Sequence, residues 1–179
     1  MELIKHERFL QIRHLLSPER LEEVCEFIKD KQQDAQDVYF LDEHGFGVDE
    51  FDTQAIQDAF TEIDPSYRNY RRATQTKTIL NYLGNNQSYP PHYDICAYVG
   101  CLWLRLGEFS GGEFVFNDFN KMIPIEHNSA AVFPAGLQHE VKTVRGEGRF
   151  SIARFQGITP HQWADDLKTG SGNYADLYC

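Results

Sequence analysis

Apolar residues recur at helical spacing in two stretches of the first third of the chain. Leu21, Val24, Cys25 and Ile28 fall on one side of a helix, opposite Glu22, Glu23, Glu26 and Lys29. Ser17 and Pro18 just before them suit an N-cap and a first helical position. The spacing predicts an amphipathic helix that ends near the polar run beginning at Lys31. A second helix is predicted over 53–63, with Ala55, Ile56, Ala59, Phe60 and Ile63 on one side and Asp64-Pro65 as its stop. Residues 3–16 carry Ile4, Phe9, Leu10, Ile12, Leu15 and Leu16 with no clear period, so they read as a short strand or helix packed on the core. Val38–Leu41 reads as a strand. His44–Gly47 reads as a loop, with too few glycines for a phosphate-binding motif.

From Thr76 the texture changes from helical to β. Thr78–Tyr82 is strand-like and Gly84–Asn86 a turn. Short apolar stretches follow at His92–Val99, Leu102–Leu106, Glu113–Asn117, Met122–Ile125, Ala130–Phe133, His139–Val144 and Phe150–Gln156. Turn residues separate them, among them Gly100, Gly107, Ser110-Gly-Gly112 and Pro134-Ala-Gly136. Short strands at this spacing, preceded by helices, predict a mainly β sandwich or jelly roll with N-terminal helices. The expected organisation is one domain over 1–179: a helical flank to about 75, a β core over about 76–157 and a polar tail over 158–179. Gly170-Ser-Gly172 suggests that the tail is mobile.

Composition narrows the function classes. The net charge of −10 repels phosphate backbones, so nucleic acid is not the expected partner. A local basic cluster (Arg68, Arg71, Arg72, Lys77) reads first as a solvated rim and second as a docking edge for a substrate. No apolar run is long enough to span a membrane, and the amino terminus lacks a signal-peptide pattern. Cys25, Cys96, Cys101 and Cys179 form no CxxC pair, which favours reduced thiols in a cytoplasmic protein. Oligomeric state stays open.

The chemistry-bearing residues lie in the β half. If His92-Tyr93-Asp94 is extended, His92 and Asp94 project to one face and Tyr93 to the other. His139 follows in another strand-like stretch, and Arg149 and Ser151 lie beyond it. Two histidines and a carboxylate, with other metal positions left open, is the donor set of non-haem Fe(II) oxygenases. An arginine past the second histidine suits a carboxylate-bearing cosubstrate. Arg145 and Arg154 are rival anchors, but Arg149 shares a strand face with Ser151 and Arg154 does not. His-x-Asp is a weak motif alone, and its weight here comes from the later His and Arg. Trp103, Phe114 and Phe116 read as core. His6, His14, His44, His127 and His161 have no partner at ligand spacing.

The segment 76–157 resembles the double-stranded β-helix (cupin-like jelly roll) of the Fe(II)/2-oxoglutarate-dependent dioxygenases, and within it the prolyl-4-hydroxylase-like branch. The resemblance is carried by Tyr82, His92-Tyr-Asp94, Phe109–Phe116, Ala131–Gly136, His139-Glu-Val141 and Arg149-Phe-Ser151. It implies His92, Asp94 and His139 as iron ligands and Arg149 as the partner of the distal carboxylate of 2-oxoglutarate. Ser151 would offer a hydroxyl nearby, and Tyr82 would line the same pocket. The cofactors implied are Fe(II), 2-oxoglutarate and O2, with ascorbate as a further candidate. The activity implied is hydroxylation of a C–H bond in a prolyl or other amino-acid residue of a protein or peptide. A carboxylate at Asp94 fills the position a halogenase leaves open for halide. Hydroxylation of a free amino acid or small metabolite is the first alternative, and a non-oxidative, metal-binding cupin-like protein is an alternative of another class. The chain departs from some relatives in carrying Trp103-Leu-Arg105 where a second pocket tyrosine is found, and in a short stretch between Asp94 and His139.

Overall fold

The computed structural model describes residues 1–31, 38–41, 46–69 and 76–157. In chain order the elements are β1 (Glu2–Lys5), β2 (Leu10–Arg13), α1 (Pro18–Lys31), β3 (Val38–Phe40), α2 (Gln54–Ile63), β4 (Thr76–Leu83), β5 (Tyr89–His92), β6 (Tyr98–Arg105), β7 (Phe109–Gly111), β8 (Phe114–Phe116), β9 (Lys121–Ile123), β10 (Ser129–Pro134), β11 (His139–Val141), β12 (Val144–Gly146) and β13 (Arg149–Gln156). A seven-stranded sheet has the order β1-β2-β10-β6-β13-β4-β3, and a four-stranded sheet the order β5-β11-β8-β9. A short ribbon pairs β7 with β12. From β4 to β13 the chain crosses repeatedly between the two larger sheets, and all their strand pairs are antiparallel. This is the jelly roll the strand spacing predicts.

The large sheet is buried on both faces. Leu102 and Leu104 of β6 join Val24 and Ile28 of α1 and Ile56 and Phe60 of α2 in one apolar cluster. Val99, Cys101 and Trp103, the alternate residues of the same strand, join Phe114, Phe116 and Ile123 of the small sheet in a second. Each fully buried Leu or Ile stabilises by about 1.5–3 kcal/mol relative to exposure. With both faces covered, β6 reads as a continuous apolar run instead of an alternating one.

The helix expectations hold with one change. In α1 the backbone N–H of Arg20 donates to Ser17 Oγ at 3.2 Å, the cap expected from the sequence. In α2 the buried residues are Ile56, Ala59 and Phe60, while Ala55 is exposed, because the face against the sheet is narrower than the apolar stripe. Of residues 3–16, those up to Arg13 belong to the β1–β2 hairpin, whose second strand also pairs with β10. No helix among the described residues is long and apolar enough to cross a membrane.

Two expectations about the β half are corrected. His92–Val99 is not one strand: β5 ends at His92, residues 93–97 are irregular, and β6 begins at Tyr98. Gly100 is not a turn but the third residue of β6. Its missing side chain is explained by packing, since a Cβ there would lie 2.9 Å from Phe51 Cδ1. The tail over 158–179 and His44-Gly45 lie outside the described residues.

Candidate metal and cosubstrate site

β5 and β11 are neighbours in the small sheet, and their register places His139 directly opposite His92. The two imidazole rings are 4.3 Å apart between centroids. In each, Nδ1 donates to the carbonyl oxygen two residues upstream, Pro90 for His92 and Leu137 for His139, both at 2.8 Å. A carbonyl only accepts, so these bonds fix the proton on Nδ1 and turn both Nε2 atoms towards Asp94. Asp94 reaches the same point from the irregular segment after β5. Its N–H donates to the Ala135 carbonyl at 3.2 Å, and Ala135 donates in turn to Ala97. The turn before His139 thus delivers the second histidine and also holds the aspartate loop.

His139 Nε2 lies 3.3 Å from Asp94 Oδ2, and His92 Nε2 lies 3.9 Å from Asp94 Oδ1. One ligand atom from each of the three residues falls within 4.8 Å of the others. Burial and the neighbouring His139 lower the His92 pKa. Burial would lower that of His139 as well, but the Asp94 hydrogen bond and charge outweigh it and the net direction is upward. His139 is further clamped between rings, stacked on Phe114 and edge-on to Phe133, each about 5.1 Å between centroids. Two imidazoles and one carboxylate converging on one point, with one side of that point open to the cavity, is a donor set that fits Fe(II).

The cavity holding this triad has a volume of about 70 Å³ and lies between the two sheets. Its large-sheet wall carries Arg149 and Ser151 of β13, Asn81 of β4, and Cys101 and Trp103 of β6. Arg149 is 1% exposed. Its Nε donates to the Gly112 carbonyl at 2.9 Å, while Nη2 is buried with no hydrogen-bond partner. Burial pulls the Arg149 pKa down to about 10, with Cys101, Tyr89 and Glu113 acting the other way, so the side chain stays charged near neutrality. A buried guanidinium edge without a hydrogen-bond partner, in a cavity whose remaining polar groups include the triad, Asn81 and Ser151, suits the far carboxylate of a 2-oxo acid.

The structure brings His92, Asp94, His139, Arg149 and Ser151 to one cavity, and does not bring Tyr82. Tyr82 packs against Phe150 at 5.0 Å between centroids on the helix-facing side of β4, and its hydroxyl bonds Glu147. Alternation turns its neighbour Asn81 to the cavity instead. Of the rival arginines, Arg154 bonds the Val48 carbonyl and Asp52 on the helix side, and Arg145 lies on β12, outside the cavity. In the basic cluster Arg68 is exposed and Lys77 half-buried, and Arg71 and Arg72 lie outside the described residues.

Sequence reasoning missed Tyr89, which lines the cavity three residues before His92. Strict alternation would put the two on opposite faces. However, Val141 pairs with Tyr89 while His139 pairs with His92, so β5 spends three residues where β11 spends two. That bulge carries Tyr89 to the face of His92. The Pro90-Pro91 pair, on a strand at the sheet edge, was the available signal.

No protein-family model and no curated protein matches the chain. Solved structures do match its fold. A 2OG-Fe(II) oxygenase family oxidoreductase from Burkholderia pseudomallei is 15% identical over 83% of this chain and 84% of its own, with a TM-score of 0.60. A prolyl-4-hydroxylase from Pseudomonas putida is 14% identical over 84% and 92%, with a TM-score of 0.64. A prolyl hydroxylase from Trichoplax adhaerens, in complex with a peptide fragment of the hypoxia inducible factor oxygen degradation domain, is 15% identical over 84% of each chain, with a TM-score of 0.62. At these identities the likeness is one of fold, and the fold is the jelly roll of these oxygenases.

Proposed function

We propose that this chain is an Fe(II)- and 2-oxoglutarate-dependent oxygenase that hydroxylates a C–H bond, with a prolyl or other amino-acid residue of a peptide or protein as its substrate class. One observation carries the reading. A two-histidine, one-carboxylate cluster shares a cavity with a buried arginine whose Nη2 has no partner. When bound, the metal and cosubstrate supply the activation of O2 coupled to oxidative decarboxylation of 2-oxoglutarate.

The chain's own part is placement, charge and dryness. Pro90 and Leu137 orient the imidazoles, and Asp94 supplies the negative charge at the metal point. Arg149 supplies the opposite charge on the other sheet. The walls between them (Ile79, Val99, Phe114, Phe133) are apolar and exclude water. A ligand with one chelating end and one carboxylate end therefore matches the charge layout. The substrate class rests on the two prolyl hydroxylases of the same fold, one of them holding a peptide.

The test incubates the Fe(II)-loaded protein with 2-oxoglutarate, O2 and either proline-containing peptides or free amino acids. The expected result is succinate with a gain of one oxygen in the peptide. A gain in the free amino acid alone moves the substrate class to small metabolites. Metal binding without any succinate would overturn the oxygenase reading in favour of a non-oxidative metal protein.

A further inference from the structure

Two residues that line the cavity, not one, carry a buried N–H donor without a hydrogen-bond partner: Arg149 at Nη2 and Trp103 at Nε1. Trp103 is fully buried and Arg149 is 1% exposed. A buried donor left unpaired is costly, so each calls for an acceptor. The Cys101 thiol does not serve. Burial pushes its pKa up to about 12, with the Arg149 charge and the Trp103 indole acting the other way, and sulfur is a weak acceptor that leaves Nε1 without a bond of normal geometry.

Strand register sets where the two donors stand. Ser151 of β13 is opposite Trp103 of β6 and opposite Asn81 of β4, so Asn81, Ser151 and Trp103 form one polar rung across the large sheet. The next rung, Ile79, Ala153 and Cys101, offers no good acceptor or donor. Arg149 precedes Ser151 by two residues on the same face, which makes it the diagonal neighbour of Trp103 at about 7–8 Å between backbones. Side chains of this length reach a common point from there. Arg149 Nε is already committed to the Gly112 carbonyl, which removes one edge of the guanidinium from ligand binding.

We propose that Trp103 is the second donor of the cosubstrate subsite: its indole N–H and Arg149 Nη2 each take one oxygen of the carboxylate far from the metal. Both groups donate only, so each needs an acceptor, and a carboxylate supplies two acceptor oxygens together with the charge that complements the guanidinium. This rests on the cosubstrate reading above and adds to it a positioning residue specific to this chain.

Two measurements on the Zn(II)-loaded protein test it without turnover. In the first, calorimetry follows 2-oxoglutarate and pyruvate, which lacks the distal carboxylate, against the unaltered protein and Trp103→Phe. The variant is expected to lose about tenfold or more in affinity for 2-oxoglutarate and little for pyruvate, since a hydrogen bond to a charged group is removed. The second keeps Trp103 and so does not depend on the variant folding. In a Trp163→Phe background the one remaining indole N–H proton signal of ¹⁵N-labelled protein should move downfield on adding 2-oxoglutarate and stay in place with pyruvate. Tight 2-oxoglutarate binding with a stationary indole signal, or equal losses for both ligands, overturns the assignment of Trp103 alone. Failure of 2-oxoglutarate to bind the unaltered protein overturns both the assignment and the cosubstrate reading.

Discussion

Gly112 holds φ at +71°, and a Cβ added there would fall 2.7 Å from Arg149 Cδ and 2.9 Å from its Nε. The residue is therefore small for two reasons at once: the left-handed backbone, and the guanidinium lying across it. Gly112→Ala is expected to displace Arg149 and to weaken 2-oxoglutarate binding to the Zn(II)-loaded protein by about tenfold or more, a little over 1 kcal/mol. Unchanged calorimetric affinity would show that the arginine is free to adjust. Arg149→Ala goes further, because a buried charge pair is lost outright. That costs about 2–5 kcal/mol, so the apparent Michaelis constant for 2-oxoglutarate should rise roughly 30-fold or more. Arg145→Ala and Arg154→Ala should not reproduce this, since Arg145 lies outside the cavity and Arg154 is spent on Asp52 and the Val48 carbonyl. If either did so while Arg149→Ala did not, the anchor would be misassigned.

At the scale of elements, the site depends on irregularities in otherwise regular strands. The bulge in β5 sets Tyr89 beside His92, and the break after His92 lets Asp94 turn back towards Ala135. Gly100 plays the converse part on β6, where a smooth strand survives because nothing projects into Phe51. Gly100→Ala should destabilise the fold by about 1–3 kcal/mol through overpacking, read as a lower urea midpoint. The same substitution should cost much less in a Phe51→Ala background, since the two positions touch. Metal affinity should be unchanged in Gly100→Ala, because that side of β6 faces the helices and not the cavity. A loss of metal affinity equal to the loss of stability would mean that the two faces of the large sheet are coupled.

On the scale of the molecule, the triad belongs to the small sheet and its adjoining loop, and Arg149 and Trp103 belong to the large one. A metal held by His92, Asp94 and His139 would tie β5, β11 and the Asp94 loop together, and would bind the native state only where all three are assembled. Ligand at 100 times its dissociation constant adds about 2.7 kcal/mol, which for a chain of this size raises the unfolding midpoint by roughly 5–10 °C. Thermal unfolding with Mn(II) should show that shift in the unaltered protein and lose it in His92→Ala, Asp94→Ala and His139→Ala. A shift retained in all three variants would remove the metal assignment.

The helices were legible because their information is local: Ser17 caps α1, Asp64-Pro65 stops α2, and both bury one stripe. The jelly roll was legible from the run of short apolar stretches and turn residues, and the residues that converge on the cavity from their types and order. Faces were a different matter. Both sides of the large sheet are buried, so the residues of β4 carry no polar–apolar alternation to say that Asn81 turns to the cavity and Tyr82 to the helices. Strict period two would likewise misplace Tyr89, because a bulge is a property of two paired strands and not of one. Gly100 read as a turn because the ring that forbids its side chain, Phe51, lies 49 residues away in the chain. Sequence alone determined which groups could meet a metal and a carboxylate. Cross-strand register decided which of them share one cavity, because only pairing between distant segments settles the direction each side chain takes.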